Sequence, residues 1–154
     1  MVWAVDELHE IAKKIGTYNP FAIAEYKNVD IVFTDKLPEN QMGLAVSELE
    51  VAFIKSYFRE QPFSLFLCAH ELTHVIFHDG IQAYYNRNRF AKGKIENEAD
   101  KGAVYLLVNY YAELFPYADY FRADLILEYF DLPKYLFGKV EKEMKLFALE
   151  KINF

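Results

Sequence analysis

A chain of 154 residues, 53% hydrophobic and 18% aromatic, is the right length for one domain and too apolar for intrinsic disorder. A formal net charge of −6 would repel nucleic-acid phosphates, so direct DNA or RNA binding is not expected. A single cysteine excludes an internal disulfide and fits a reducing compartment. No apolar run nears the ~20 residues a membrane helix needs, and the opening "MVWAVDELHEIAKK" is too broken by charge for a signal peptide. The expectation is a cytoplasmic protein with one domain over residues 1–154 and no membrane contact.

In chain order, Val2, Val5, Leu8, Ile11, Ala12 and Ile15 recur every three to four residues, the spacing of an amphipathic helix, and Gly16 stands where such a helix ends. Asn19 as N-cap and Pro20 at the first helical position open a short second helix. "VDIVFT" (29–34) reads as a strand, and "LAVSELEVAFI" (44–54) as two more strands with a tight connection near Ser47–Glu50. Pro62 opens a helix expected to run to Asp79–Gly80. The polar stretch "YYNRNRFAKGK" separates it from a helix expected from about Ile95 to Leu114. Pro116 interrupts, and helices over 122–130 and 134–152, split by "DLP", make a helical C-terminal part from about 117 to 154. This order gives an α+β fold: a small, mostly antiparallel three-stranded sheet wrapped by helices, with C-terminal helices.

Three of the four histidines fall within "CAHELTHVIFHDG" (68–80). His70-Glu71-Leu72-Thr73-His74 has the pattern HExxH. Four helical residues rotate about 40° net and rise ~6 Å, so His70 and His74 leave one face and two imidazoles can grip one tetrahedral Zn²⁺. Glu71 is placed to take a proton from a water at the metal. Leu67, Leu72, Val75, Ile76 and Phe77 make the helix apolar on nearly all sides, so polar groups there need a reason. His78 repeats the spacing, but Val75 follows His74 and supplies no base; His78 reads as a helix-end residue favoured by the dipole. His9 reads as solvated, and Cys68, about 200° from His70, as a buried thiol.

A zinc hydrolase site commonly has three protein ligands. The third should be Asp, Glu or His; no histidine remains downstream, and "IENEADKGAVYLL" (95–107), with Glu96, Glu98 and Asp100, is the obvious candidate. Glu96, Ala99, Asp100, Ala103 and Leu107 share a helical face, whereas Glu98 lies about 200° from Glu96 and reads as a solvated partner of Lys101. Glu96 is therefore the expected ligand, and Asp100, one turn on, can accept the remaining N–H of a zinc histidine and fix its tautomer. Ala99, Gly102 and Ala103 allow close approach of a second helix. Ligands from two helices imply one zinc per chain.

The segments "LFLCAHELTHVIFH" and "ENEADKGAVYLL", with "NPFAIAEYKNVDIVF" before them and "LILEYFDLPKYL" after, resemble the ImmA/IrrE family of zinc metallopeptidase-like proteins of phages, mobile elements and bacterial chromosomes. The resemblance implies a zincin-like fold, His70, His74 and Glu96 as metal ligands, and Glu71 as catalytic base. Departures are Thr73 where the family usually has glycine before the second histidine, Gly102-Ala103 for Phe-Ala, and "LLVNYY" at the end of the acidic segment. The resemblance further implies a protein partner, a helix-turn-helix repressor or antitoxin.

Two functions follow. One is a zinc endopeptidase of narrow specificity, with a strand edge near Val51–Ile54 to bind extended substrate and Tyr84, Tyr85, Arg87 or Arg89 to steady the oxyanion. The alternative is a non-catalytic zincin-like module that controls a repressor by binding; its hallmark would be a missing Glu71, which is present.

Overall fold

The computed structural model describes residues 2–78 and 89–152. Helix α1 (Val2–Ile15) is followed by α2 (Pro20–Tyr26), strand β1 (Asp30–Thr34), β2 (Gly43–Val46), a 3₁₀ turn (Ser47–Leu49) and β3 (Val51–Lys55). Then come a 3₁₀ turn (Ser56–Phe58), α3 (Phe63–Phe77), α4 (Arg89–Leu114), a 3₁₀ turn (Ala118–Tyr120), α5 (Ala123–Phe130), a last 3₁₀ turn (Lys134–Leu136) and α6 (Phe137–Ile152). The architecture is α+β, compatible with a zincin-like fold.

Local chemistry sets the boundaries. Gly16 takes φ +85°, a conformation that costs glycine little, and its N–H closes α1 on Ala12 O at 2.8 Å. Asn19 Oδ1 accepts the Phe21 N–H at 2.9 Å, and Pro20 holds the first helical position of α2. Glu50, in the left-handed region at φ 53°, turns the chain from the 3₁₀ turn into β3.

The sheet departs from the expected pairing. Its order is β1-β3-β2: β3 runs antiparallel to β2 (Gly43↔Ile54, Val46↔Val51) but parallel to β1 (Asp30↔Val51, Thr34↔Lys55). A three-stranded sheet with one pair of each kind is mixed, not mostly antiparallel. The cause is topological, because the β2–β3 hairpin turns back and inserts β3 beside β1. The edge expected near Val51–Ile54 is thus corrected: β3 is the central strand, and β1 and β2 hold the edges.

Two helix limits also shift. α3 leaves helical geometry at His78 (φ −120°, ψ 41°), whose N–H still bonds His74 O at 2.9 Å. α4 begins at Arg89, not near Ile95: in "RFAKGK" Gly93 is the one poor helix former, and the Arg, Ala and Lys residues around it favour a helix.

α3 lies between the sheet and α4, packed against β2, β3 and α2 on one side and α4 on the other. Leu72 and Ile54 meet Leu106, Leu107 and Val104 in a core where each is at most 1% exposed. Each such side chain contributes roughly 1.5–3 kcal/mol on burial. The short side chains Ala99 and Ala103, both fully buried, line the seam where α4 approaches α3. That seam carries the polar groups.

Candidate metal centre

Of the fifteen residues of α3, eleven are buried, among them Glu71, Thr73 and His74. Thr73 disposes of its hydroxyl within the helix by donating to Ala69 O at 2.8 Å. Ser47, on the 3₁₀ turn, donates to His74 O at 3.4 Å and ties the hairpin to the helix.

His70 and His74 point from one face of α3 toward α4, their ring centroids 4.9 Å apart. Glu96 of α4 reaches across the seam, with Oε2 2.9 Å from His70 Nε2 and Oε1 3.0 Å from His74 Nε2. One donor atom from each of the three residues lies within 4.8 Å of the others. Two imidazole nitrogens and a carboxylate oxygen converging on one point, on a largely buried floor, are a donor set and spacing that fit a tetrahedral zinc with one open position. Glu96 and Asp100, one turn apart on α4, both reach histidines of α3.

Asp100 stands behind His70, its Oδ1 2.9 Å from Nδ1. The distance is that of an ion pair, but the ring N–H is not aligned as a hydrogen bond; among the described residues His70 Nδ1 is the one buried side-chain polar atom without such a bond. A carboxylate this close favours a proton on Nδ1, which would leave Nε2 for a metal if one were bound. Tyr135, from the Lys134–Leu136 turn, donates to Asp100 Oδ2 at 3.3 Å.

The electrostatics follow from burial against mutual attraction. Burial alone would lower the His70 pKa, but Asp100 and Glu96 outweigh it and hold the group up at about 10. Burial would raise Glu96, yet its bonds to His70 and His74 carry it well below the usual carboxylate range. Burial pushes Glu71 upward, with the two histidines pulling the other way. The Glu71 carboxylate lies against the start of β2: a Cβ at Gly43 would meet Glu71 Oε2 at 2.8 Å.

His78 stands at the helix end, as expected, but buried: it is 4% exposed, with Nδ1 2.9 Å from His74 Nδ1 and Nε2 3.4 Å from Glu98 Oε2. Two assignments from the sequence are corrected. Glu98 accordingly faces His78 and is not a solvated partner of Lys101. Burial and His74 lower the His78 pKa, against Glu98. His9 is likewise not simply solvated, since its Nδ1 meets Tyr18 Oη at 2.9 Å and Tyr105 Oη at 3.1 Å. Cys68 is fully buried, and burial raises its thiol pKa. Tyr84, Tyr85 and Arg87, and the side chain of Arg89, lie outside the described residues. Sequence reasoning passed over Gly43, Tyr135 and the His78–Glu98 pair. Only the His74-to-His78 spacing of four gave any sign of the last.

An HExxH helix packed on a small sheet, with a carboxylate brought in by the next helix, defines a metallopeptidase-like protein of the zincin type. Residues 24–135 match the family described as Peptidase_M78, the IrrE N-terminal-like domain, and the chain belongs to that family. No curated protein and no solved structure matches the chain.

Proposed function

We propose that this protein is a zinc-dependent endopeptidase of narrow specificity, with His70, His74 and Glu96 as the metal ligands and Glu71 as the catalytic base. The observation that carries the reading is the convergence of the three donor atoms within 4.8 Å beside a buried Glu71. Zinc, when bound, would lower the pKa of a water to around 7 and polarise the scissile carbonyl. Glu71 takes the proton from the attacking water and returns it to the leaving amine. Burial raises its pKa, which suits the donating half of that cycle. Asp100 holds the His70 ring from behind through Nδ1.

The edge strand β2, packed on α3 and beginning at Gly43, suits an extended substrate segment added to the sheet. A cytoplasmic helix-turn-helix repressor or antitoxin is the proposed substrate. The resemblance to the ImmA/IrrE family implies such a partner, and the acidic chain suits a protein partner better than nucleic acid.

The test joins metal content to cleavage. Purified protein should hold close to one zinc per chain, and His70→Ala, His74→Ala and Glu96→Ala should each empty the site. Glu71→Gln should keep the metal and lose cleavage of a co-expressed repressor by ~10²–10⁴-fold. Full regulatory effect from Glu71→Gln, with no cleavage by either form, would replace this reading with control by binding.

A further inference from the structure

His70 and His74 are backed differently. Behind His70 stands a carboxylate, Asp100; behind His74 stands a third imidazole, His78, which in turn faces a carboxylate on the other helix. We infer that His78 and Glu98 form a positioning relay that fixes the orientation and tautomer of His74, an inference that rests on His74 being a metal ligand.

The proton positions follow from the chemistry of the atoms. A histidine that gives Nε2 to a metal keeps its one remaining proton on Nδ1. His74 Nδ1 lies 2.9 Å from His78 Nδ1, so the proton on His74 makes His78 Nδ1 the acceptor. A neutral His78 that accepts at Nδ1 must carry its own proton on Nε2. That atom faces Glu98 Oε2 at 3.4 Å, and a carboxylate can only accept from it. With a metal on His74 Nε2, the three side chains admit one self-consistent arrangement: Glu98 accepts from His78, His78 accepts from His74, and His74 keeps Nε2 for the metal.

The fold builds this arm deliberately. His78, four residues after His74 and just past the end of α3, brings its ring beside that of His74, centroids 5.0 Å apart and planes tilted by 56°. The helix ends at Phe77, which lets His78 depart from helical angles while its N–H still holds His74 O. Glu98 sits on the side of α4 that Glu96 does not use. α4 therefore supplies a proposed ligand and, two residues later, the anchor of the arm behind a second ligand.

The relay is tested on purified full-length protein with zinc as the probe and affinity as the readout, by competition with a chelator. His78→Phe keeps a ring of similar shape but no acceptor, and should weaken zinc binding by ~10–100-fold. Glu98→Ala should weaken it in the same direction, and His78→Asn, whose Oδ1 can accept near the lost Nδ1, should recover most of the loss. Melting of the zinc-free proteins reports folding separately. In zinc-loaded wild type, ¹⁵N-histidine spectra should show a slowly exchanging proton on His74 Nδ1 that His78→Phe loses.

Unchanged affinity in both His78→Phe and Glu98→Ala overturns the relay and leaves the metal centre standing. Equal weakening by His78→Phe and His78→Asn reduces His78 to packing and also overturns it. A wild-type chain that takes up no zinc overturns the metal centre, and the relay falls with it.

Discussion

Gly43 leaves room for the Glu71 carboxylate: a Cβ there would come within 2.8 Å of Oε2 and 3.0 Å of Cγ. The obstructing atoms belong to a side chain that can swing away, so Gly43→Ala should change stability by less than ~1 kcal/mol. The carboxylate that swings away is the proposed base, however, and a displacement near 1 Å can cost on the order of 10²-fold in rate. Gly43→Ala is therefore expected to retain zinc and melting temperature while losing ~10–10²-fold in cleavage. Comparing a kinetic assay with a thermal melt checks this; equal loss in both would make Gly43 a folding residue. At this scale, sequence legibility depended on distance along the chain. His70, Glu71 and His74 announce themselves within five residues, and helical periodicity favours Glu96 over Glu98 on α4. Gly43 is a glycine like any other until β2 is laid against α3. Glu98 reads as solvated because its partner, His78, lies twenty residues back, just past the end of α3.

Among the elements, α6 contains a carboxyl held in an unfavourable place. Burial and the neighbouring Glu150 raise Glu143 to about 7. A carboxyl whose folded pKa exceeds its unfolded value of about 4.3 favours the folded state only while protonated. Its cost is absent below pH 4, grows between about 4.5 and 7, and is complete above. Glu143→Gln should then stabilise the protein at pH 8 by on the order of 1–2 kcal/mol, with partial exposure moderating the figure, and have no effect at pH 4. Denaturant melts at the two pH values measure it; the same gain at both would point to a cause other than ionisation. Helices and strands themselves were readable because 3.6-residue and two-residue periodicities are local properties. Strand order was not. "LAVSELEVAFI" reads as a hairpin, but nothing within it says which of its strands will accept β1. That choice made the sheet mixed and moved the edge from β3 to β2.

For the whole molecule, charge and the two-helix site each lead to an expectation. With net charge −6, the pure protein should not bind duplex DNA tightly, and any effect on transcription should pass through a protein partner. Salt-sensitive submicromolar binding in a gel-shift or anisotropy titration would contradict this. A metal held by α3 and α4 together binds the folded chain and not the unfolded one. Zinc at a thousandfold excess over its dissociation constant therefore stabilises by about 4 kcal/mol. For a chain of this length that corresponds to a rise in Tm on the order of 10 °C, reversed by a chelator and absent in Glu96→Ala. No helix among the described residues is long and apolar enough to cross a membrane.

The order β1-β3-β2 also carries a consequence for the chain while it is being synthesised. β1 and β2 emerge first, yet neither is the other's neighbour; both pair only with β3, the last of the three to be made. Until Val51–Lys55 leaves the ribosome, the nascent chain carries two strands with no cognate edge, a state open to mispairing. β3 closes both ladders, and α3 then follows onto the completed sheet. Glu96 comes later still, on α4, so the three donors of the centre cannot meet until that helix has been made. The proposed metal centre would thus assemble only after the chain through Glu96 has emerged.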